Sequence, residues 1–414
     1  MMTAQADEMA SVAAKLRCAA AVRERCNMVA RWVAADRSSY FTIDAGALDA
    51  VADYVAEVTR EAYPDLDIPY HSRWRHFSAG SIDRWRELAQ SVRVHPIEQA
   101  RMAVDLVTVS VLLDAGAGNA WRYREAGAGC TAARSEGLAV ASFEMFRAGA
   151  FSSADDRPYR VDDRALARID AGMLARHFQV NDANPLVGLE ARCMLLRRLA
   201  AAFGERGDLF GKSPARPGNI VDHFLNVAED DRIRAASALA TLLEAYAAIW
   251  PSGLKLGGMP IGDAGHHRAV HAGDATDGIV PFHKLSQWLT YSLIEPLAIA
   301  GIAVEQLDEL TALPEYRNGG LLIDLGAIKL RAGLDPQLPH DVHSELIVEW
   351  RALTVALMDQ LLPLVRDKLA LTASFTLPQM LQGGTWSAGR KIARALRPPD
   401  GPPPLAVVAD GTLF

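Results

Sequence analysis

From Pro96 to Leu113 the chain reads PIEQARMAVDLVTVSVLL, and its second half is apolar almost all round, with Asp105 the one charge inside it. His95-Pro96 opens the stretch with proline near the first turn, as helix starts prefer. A helix without a polar face belongs in an interior. Met102 to Leu113 is far short of the ~20 residues that span a bilayer, and it carries Asp105, so this is a core helix and not a membrane segment. With 414 residues, half of them apolar, the chain can surround such a helix in one large domain or two ordinary ones.

Other segments carry the same period. Residues 8–35 are Ala-rich and free of Pro and Gly, which predicts one long helix. Ser135 is placed to cap a helix ending at Gly149. Helices are expected over 164–177, 186–203 and 231–249, the last stopped by Pro251. A long one is expected over 342–366, with apolar spacing at Leu346, Val348, Trp350, Leu353, Val355 and Leu357. Strand signals are confined to Gly320–Leu330 and Leu405–Val408. There is no βαβ alternation and no repeat. The reading is a mainly α fold: one composite helical domain over 1–414, with N-terminal helices over 1–110 and at most a small β ribbon.

Charge and cysteine narrow the function. A formal net charge of -7 with 22% charged residues is wrong for binding nucleic acid through bulk charge. Cys18, Cys26, Cys130 and Cys193 are far apart with no Cys-x-x-Cys pair, which argues against a disulfide framework and a structural zinc site. The N-terminus mixes Glu8, Lys15, Arg17, Arg23, Glu24 and Arg25 among alanines, unlike a signal peptide. A cytoplasmic enzyme is expected.

Two motifs fail on inspection. Gly211-Lys212-Ser213 resembles the end of a phosphate loop, but Arg206 stands at the first glycine position and Pro214 follows. Gly116-Ala117-Gly118 begins a dinucleotide fingerprint whose third glycine would be Trp121. His266, His267 and His271 near Asp263 lie among glycines, which favours a hydrogen-bonded loop cluster over a metal site.

Three polar constellations remain. In the first, an apolar helix delivers Asp114 into a Gly/Ala-rich bend followed by Trp121-Arg122-Tyr123. In the second, Pro281 to Pro296 read as a helix puts Lys284, Gln287, Tyr291 and Glu295 on one face, with His283 and Gln287 as i, i+4 neighbours. This stripe faces solvent or lines a polar cavity. In the third, a Pro-led turn presents Glu315, Tyr316, Arg317 and Asn318 beside Gly319 and Gly320 and ahead of Asp324. Loops of this kind carry function more often than core segments do. Two weaker spots are Glu345, Glu349 and Arg351 on the long helix, and Gly383-Gly384-Thr385-Trp386, a glycine-rich lead-in that suits an anion at a helix N-terminus.

These segments resemble the uracil-catabolism family of the Urc/Urg type, a domain of unknown function. The blocks are Leu113–Gly118, Ser135–Leu138, Gly149–Ser153 (with Phe151), Val280–Trp288, Glu315–Gly320, Ser344–Arg351 and Gly383–Trp386, spanning about 110–414. The resemblance implies a role in a pathway that degrades uracil through a ribosylated, ring-opened intermediate to urea. A more distant similarity is to the queuosine-nucleotide N-glycosylase (queuine salvage) family, which looks like helical DNA glycosylases. Phe282–Gln287, Leu310-Thr311 and Glu315–Gly320 fall on that family's motifs, and its catalytic aspartate corresponds to Glu315. Its Asp-x-Leu-Asn-Phe-x-Phe-Trp segment falls on Asp114 to Trp121, where the two phenylalanines become Gly118 and Ala120. A second aspartate of that family falls near Ser292. Loss of those rings suits a small, non-aromatic leaving group such as urea.

The resemblance therefore implies hydrolysis of ribosylurea, or its 5′-phosphate, with no metal or organic cofactor. Glu315 would serve the oxocarbenium-like state. Asp114 would bind ribose hydroxyls or urea. His283, Glu345 or Glu349 would protonate the leaving nitrogen. Lys284, Gln287, Tyr291, Tyr316, Arg317, Asn318, Trp121, Phe151, Glu349, Arg351 and Trp386 would line the substrate. The expected partner is this small molecule, not nucleic acid or membrane, bound to a monomer or homodimer. The alternatives are an amide or ureido hydrolase of the same pathway, and a non-catalytic protein that holds an intermediate.

Overall fold

A computed structural model of the protein describes residues 11–126, 131–212, 214–250 and 253–408. The fold is mainly α. Among the described residues the short strands form six two-stranded ribbons, more than the single ribbon expected. The described chain divides into two compact units. The first comprises 11–71, 254–287 and 307–408, and the second 72–253 and 288–306. The division falls inside the helix Lys284–Ile299, after Gln287.

The first unit is organised by the helix Glu345–Leu369. Every residue from Leu346 to Met358 is buried. The helices Ala19–Ala34, Leu48–Ala62 and Tyr316–Asp324 pack on it, and Trp386–Leu396 packs on Tyr316–Asp324. The expected helix over 8–35 is broken: residues 11–16 are helical, Arg17-Cys18 form a bend, and the helix resumes at Ala19. Gly320–Leu330 is not a strand. Its first half finishes the helix Tyr316–Asp324, and Ile328–Leu330 alone pairs, antiparallel, with Phe41–Ile43. Val407-Val408 pairs with His340-Asp341 as expected for a strand there. The glycine-rich segment before Trp386 is no open helix N-terminus. It forms a π-helical turn, Leu381–Thr385, that continues directly into Trp386–Leu396. Gly384 is there for closeness: a Cβ would lie 2.4 Å from Val55 Cγ1.

His71 is buried in this unit, with Nδ1 3.1 Å from Gln382 Oε1. Burial lowers its pKa to about 4. The unfolded chain titrates near 6.5, so the depressed folded value makes this stability complete above that pH and lost as pH falls toward 4. Unfolding free energy is expected to drop by about 2 kcal/mol from this group between pH 7 and pH 5. Denaturant melts of wild type and His71→Gln at both pH values check this. An unchanged pH slope in the variant would remove His71 as the cause.

The second unit is built around the helix Pro96–Leu112, with the boundaries and burial the sequence predicts. Arg134–Arg147, Leu189–Glu205 and Ile220–Val227 pack on it. Ser135 does not cap the first of these. Ala133 holds the N-cap position and Ser135 lies in the first turn. Residues 164–177 form two short helices, Asp163–Leu166 and Ala171–His177. Each begins at an aspartate, Asp162 or Asp170, whose side chain accepts a first-turn N–H. The helix expected over 231–249 is Ala235–Tyr246, because Arg232–Arg234 instead form a strand beside Ala303–Glu305. Cys26 and Cys193 are buried thiols, and Cys18 is partly exposed. Cys130, Ser213 and Pro251 lie outside the described residues. Among the described residues no helix is long and apolar enough to cross a membrane.

Candidate active site

The central helix of the first unit carries Glu349 and Arg351 into the core, their side chains 1% and 3% exposed. Buried charges require partners. Arg351 Nη2 donates to Asp263 Oδ2 at 2.8 Å, and its guanidinium lies 4.0 Å over the Phe282 ring. Asp263 sits between the strands Met259–Gly262 and Ala264–His266 and is itself buried. Its carbonyl accepts the N–H groups of Phe282 and His283, and Oδ2 also accepts the N–H of Lys284 at 2.9 Å. Burial works to raise this carboxyl. Arg351, together with the N–H and charge of Lys284, outweighs it and holds Asp263 below the usual carboxylate range. Asp263 Oδ1 is buried without a hydrogen-bond partner among the described residues.

His283 stands in left-handed backbone at φ 51, unusual for a residue with a side chain. Nε2 lies 2.8 Å from the Leu16 carbonyl, which only accepts, so Nε2 carries the proton. Nδ1 is then a lone pair, and it too is buried without a partner among the described residues. Burial pushes the imidazole pKa down, which keeps this ring neutral. Its geometry suits accepting a hydrogen bond and not protonating a leaving group.

Lys284 is buried at the start of the helix, and its charge acts on two carboxyls, Asp263 and Glu315. Glu315 does not lie in a loop. It is the N-cap of the helix Tyr316–Asp324: Oε2 accepts the N–H of Arg317 and Oε1 that of Asn318, each at 2.7 Å. Desolvation pushes its carboxyl above the usual range, against those donors and the charges of Arg317 and Lys284. Two carboxyls that share one lysine are thus driven in opposite directions, the arrangement that divides acid from base roles.

The neighbouring motif residues position this group. Gln287 is fully buried. Nε2 donates to the Phe282 carbonyl and Thr311 Oγ1, and Oε1 accepts the N–H of Thr311. Asn318 donates to the Leu313 carbonyl and accepts from Thr385 Oγ1. Arg317 donates to the Gly401 carbonyl, and its guanidinium lies 5.0 Å from the Tyr316 ring. Gly319 is not a hinge. A Cβ would lie 2.7 Å from Trp350 Nε1 and Thr354 Oγ1, so glycine lets two helices touch. Asp324 receives Arg397 through two hydrogen bonds. Trp386 is half-buried beneath the Arg390 guanidinium.

Glu349 heads a separate network. It accepts from Ser38 Oγ, and Oε2 lies 2.8 Å from His267 Nε2. His267 Nδ1 accepts the Ala269 N–H, so Nε2 holds the ring proton. Of the histidines near Asp263, His267 is therefore engaged elsewhere. Glu349 and His267 border a small cleft with Trp32, Arg37, Tyr40, Arg268 and Glu345. Arg268 grips Glu345 and holds its carboxyl down at about 2, so Glu345 carries no proton to give at neutral pH.

Four expected site residues belong to the second unit. Trp121 and Phe151 are completely buried; Trp121 Nε1 donates to the Phe178 carbonyl, and both read as core. Tyr291 is also fully buried. Asp114 forms a buried ion pair with Arg73. The unit also holds Arg192, which donates to the carbonyls of Leu113, Ala115 and Gly116 and so braces the Gly/Ala bend.

Sequence reasoning missed Asp263 as a site residue and Arg73 altogether. For Asp263 a signal existed in its small neighbours: a Cβ on Gly265 would meet Val348 Cγ2 at 2.4 Å. Such crowding marks a strand, Ala264–His266, pressed against the core helix.

A family model described as "Protein of unknown function (DUF1688)" matches residues 15–414. The chain belongs to the DUF1688 family. The match covers the N-terminal helices as well as the blocks from 110 onward, so Leu16 and the helix Ala19–Ala34 are part of the family's fold. Two relatives share this span. "Protein urg3" of Schizosaccharomyces pombe is 37% identical, over 97% of this chain and 98% of its own length. "Uracil catabolism protein 4" of Lachancea kluyveri is 36% identical, over 95% and 97%.

Proposed function

We propose that this DUF1688 protein acts in uracil catabolism and hydrolyses the N-glycosidic bond of ribosylurea, or its 5′-phosphate, to release urea. The pathway assignment is supported by the name of the Lachancea kluyveri relative, whose similarity runs the length of both chains. The observation that carries the chemistry is the pair of carboxyls around Lys284, Asp263 held low and Glu315 pushed high. Raising a carboxyl toward neutral pH improves it as a base.

In this reading Glu315 takes a proton from water as the oxygen bonds to C1′ and the C1′–N bond breaks. The same proton then passes to the leaving urea nitrogen, so no separate acid is required. Glu315 in its charged form also faces the positive charge that develops at C1′. Asp263 Oδ1 and His283 Nδ1 are acceptors without donors among the described residues, which suits ribose hydroxyls. Lys284 supplies the positive charge for ring oxygens or a 5′-phosphate. A half-buried Glu315 with a raised pKa also counts against a purely scaffolding role.

The test is urea release from synthetic ribosylurea and its 5′-phosphate by the full chain. Release from one or both is expected. No release from either would end the glycosidic reading.

A further inference from the structure

Glu315 stands at the end of an arm that runs from the tight turn Leu307–Glu309 to the helix Tyr316–Asp324. Leu310 to Pro314 are buried, and the arm comes half out of the core at Glu315. A buried stretch without regular structure must find partners for its backbone elsewhere. The carbonyls of Asp308, Glu309 and Leu310 are the kind that a helical turn leaves open at its end.

One side chain meets all three. Arg23, on the helix Ala19–Ala34, donates from Nη2 to the carbonyls of Asp308 at 3.0 Å and Leu310 at 2.7 Å, and from Nη1 to that of Glu309 at 3.0 Å. Asp359 of the central helix accepts Nε at 2.6 Å and balances the charge. The rest of the arm is held in sequence. Gln287 grips Thr311 through both its N–H and its hydroxyl, and the Asn318 side chain donates to the Leu313 carbonyl. Only a guanidinium suits the first of these holds. Its donors form a rigid planar fork that spans successive carbonyls, whereas a lysine ammonium is a point charge on a flexible stem. Freeing those carbonyls would let the arm shift, and a displacement of about 1 Å in an acting group can cost about 10²-fold in rate.

We propose that Arg23 is a positioning residue for Glu315: its grip on three successive carbonyls fixes the arm that presents the Glu315 carboxylate. This rests on the reading of Glu315 as the group that acts at C1′, so the test includes a readout that needs no turnover.

The test compares wild type, Arg23→Lys and Asp359→Asn as full chains. The amides of Arg317 and Asn318, which bond to Glu315, report on its placement by hydrogen exchange. In Arg23→Lys they are expected to exchange about tenfold faster, with the helix Leu48–Ala62 unchanged. Its kcat for urea release from ribosylurea is expected to fall about tenfold, with KM within about twofold. Asp359→Asn removes the ion pair but spares the carbonyl bonds, so it should change neither readout. Should Arg23→Lys fail to fold, native-state exchange of wild type in rising denaturant decides: Arg317 and Asn318 should open in one step with Ala19–Ala34. The proposal is overturned if those amides open separately there. It is equally overturned if they are unchanged in a folded Arg23→Lys, if Asp359→Asn matches that variant, or if kcat holds in an active enzyme. No urea release from wild type would end the glycosidic reading alone and leave exchange to decide this one.

Discussion

Glu315→Gln is expected to cut urea release from ribosylurea about 10²- to 10³-fold while leaving the protein folded. The two effects separate because Glu315 has two jobs. As N-cap it accepts the N–H groups of Arg317 and Asn318. Glutamine keeps one oxygen for one of them and loses the other, a cost of about 1 kcal/mol. As a base it needs its charge, which glutamine lacks entirely. Glu315→Asp supplies the complementary arm. Aspartate is a good N-cap, so stability should hold, while the carboxylate retreats by one methylene and activity should still fall. Activity is read from urea release and stability from denaturant melts of the same preparations. If both variants lose activity only in proportion to stability, Glu315 is a cap and nothing more, and the catalytic role passes to Asp263.

How much of this was legible follows from the range of the interactions. The helix Pro96–Leu112 was readable because its period and its opening proline are local. Glu345–Leu369 was readable for the same reason, to within three residues at each end. The ribbons were not. Phe41–Ile43 and Ile328–Leu330 are three residues each, too short to show alternation, and their partners lie far apart in the chain. The break at Arg17-Cys18 also lacks a local cause, since no Gly or Pro stands there.

The candidate site divides in the same way. Segments rich in chemistry were visible, and Lys284, Gln287, Glu315, Arg317 and Asn318 do fall in the first unit. Their roles were hidden. Glutamate is not a preferred N-cap, so Pro314-Glu315 read as a loop although a helix begins right after it. Gly319 and Gly320 read as part of a turn, yet helix packing explains Gly319. Asp263 was hidden because its partner Arg351 stands 88 residues away, and only the folded helix brings them together.

Asp105 shows what such a buried charge does in the second unit, and its removal carries the largest expected loss of stability. It is the single charge in the apolar half of its helix and is completely buried. Oδ2 accepts from Arg216 Nε at 2.6 Å and from the Val161 N–H at 3.1 Å, and Oδ1 accepts the Gly218 N–H at 2.7 Å. Burial still pushes the carboxyl up to about 6, so desolvation offsets much of what these partners contribute. The pair is therefore a weak net stabiliser and an expensive one to break. Asp105→Ala strands the Arg216 cation, which among the described residues retains the partly exposed Glu98, and leaves two backbone donors unmet. The expected loss is about 3–5 kcal/mol in denaturant melts. Adding Arg216→Met to Asp105→Ala should cost less than the two single changes summed, because it removes the stranded charge. Strict additivity would mean that the two residues act independently, and that the local fold is held by the Val161 and Gly218 bonds rather than by the ion pair.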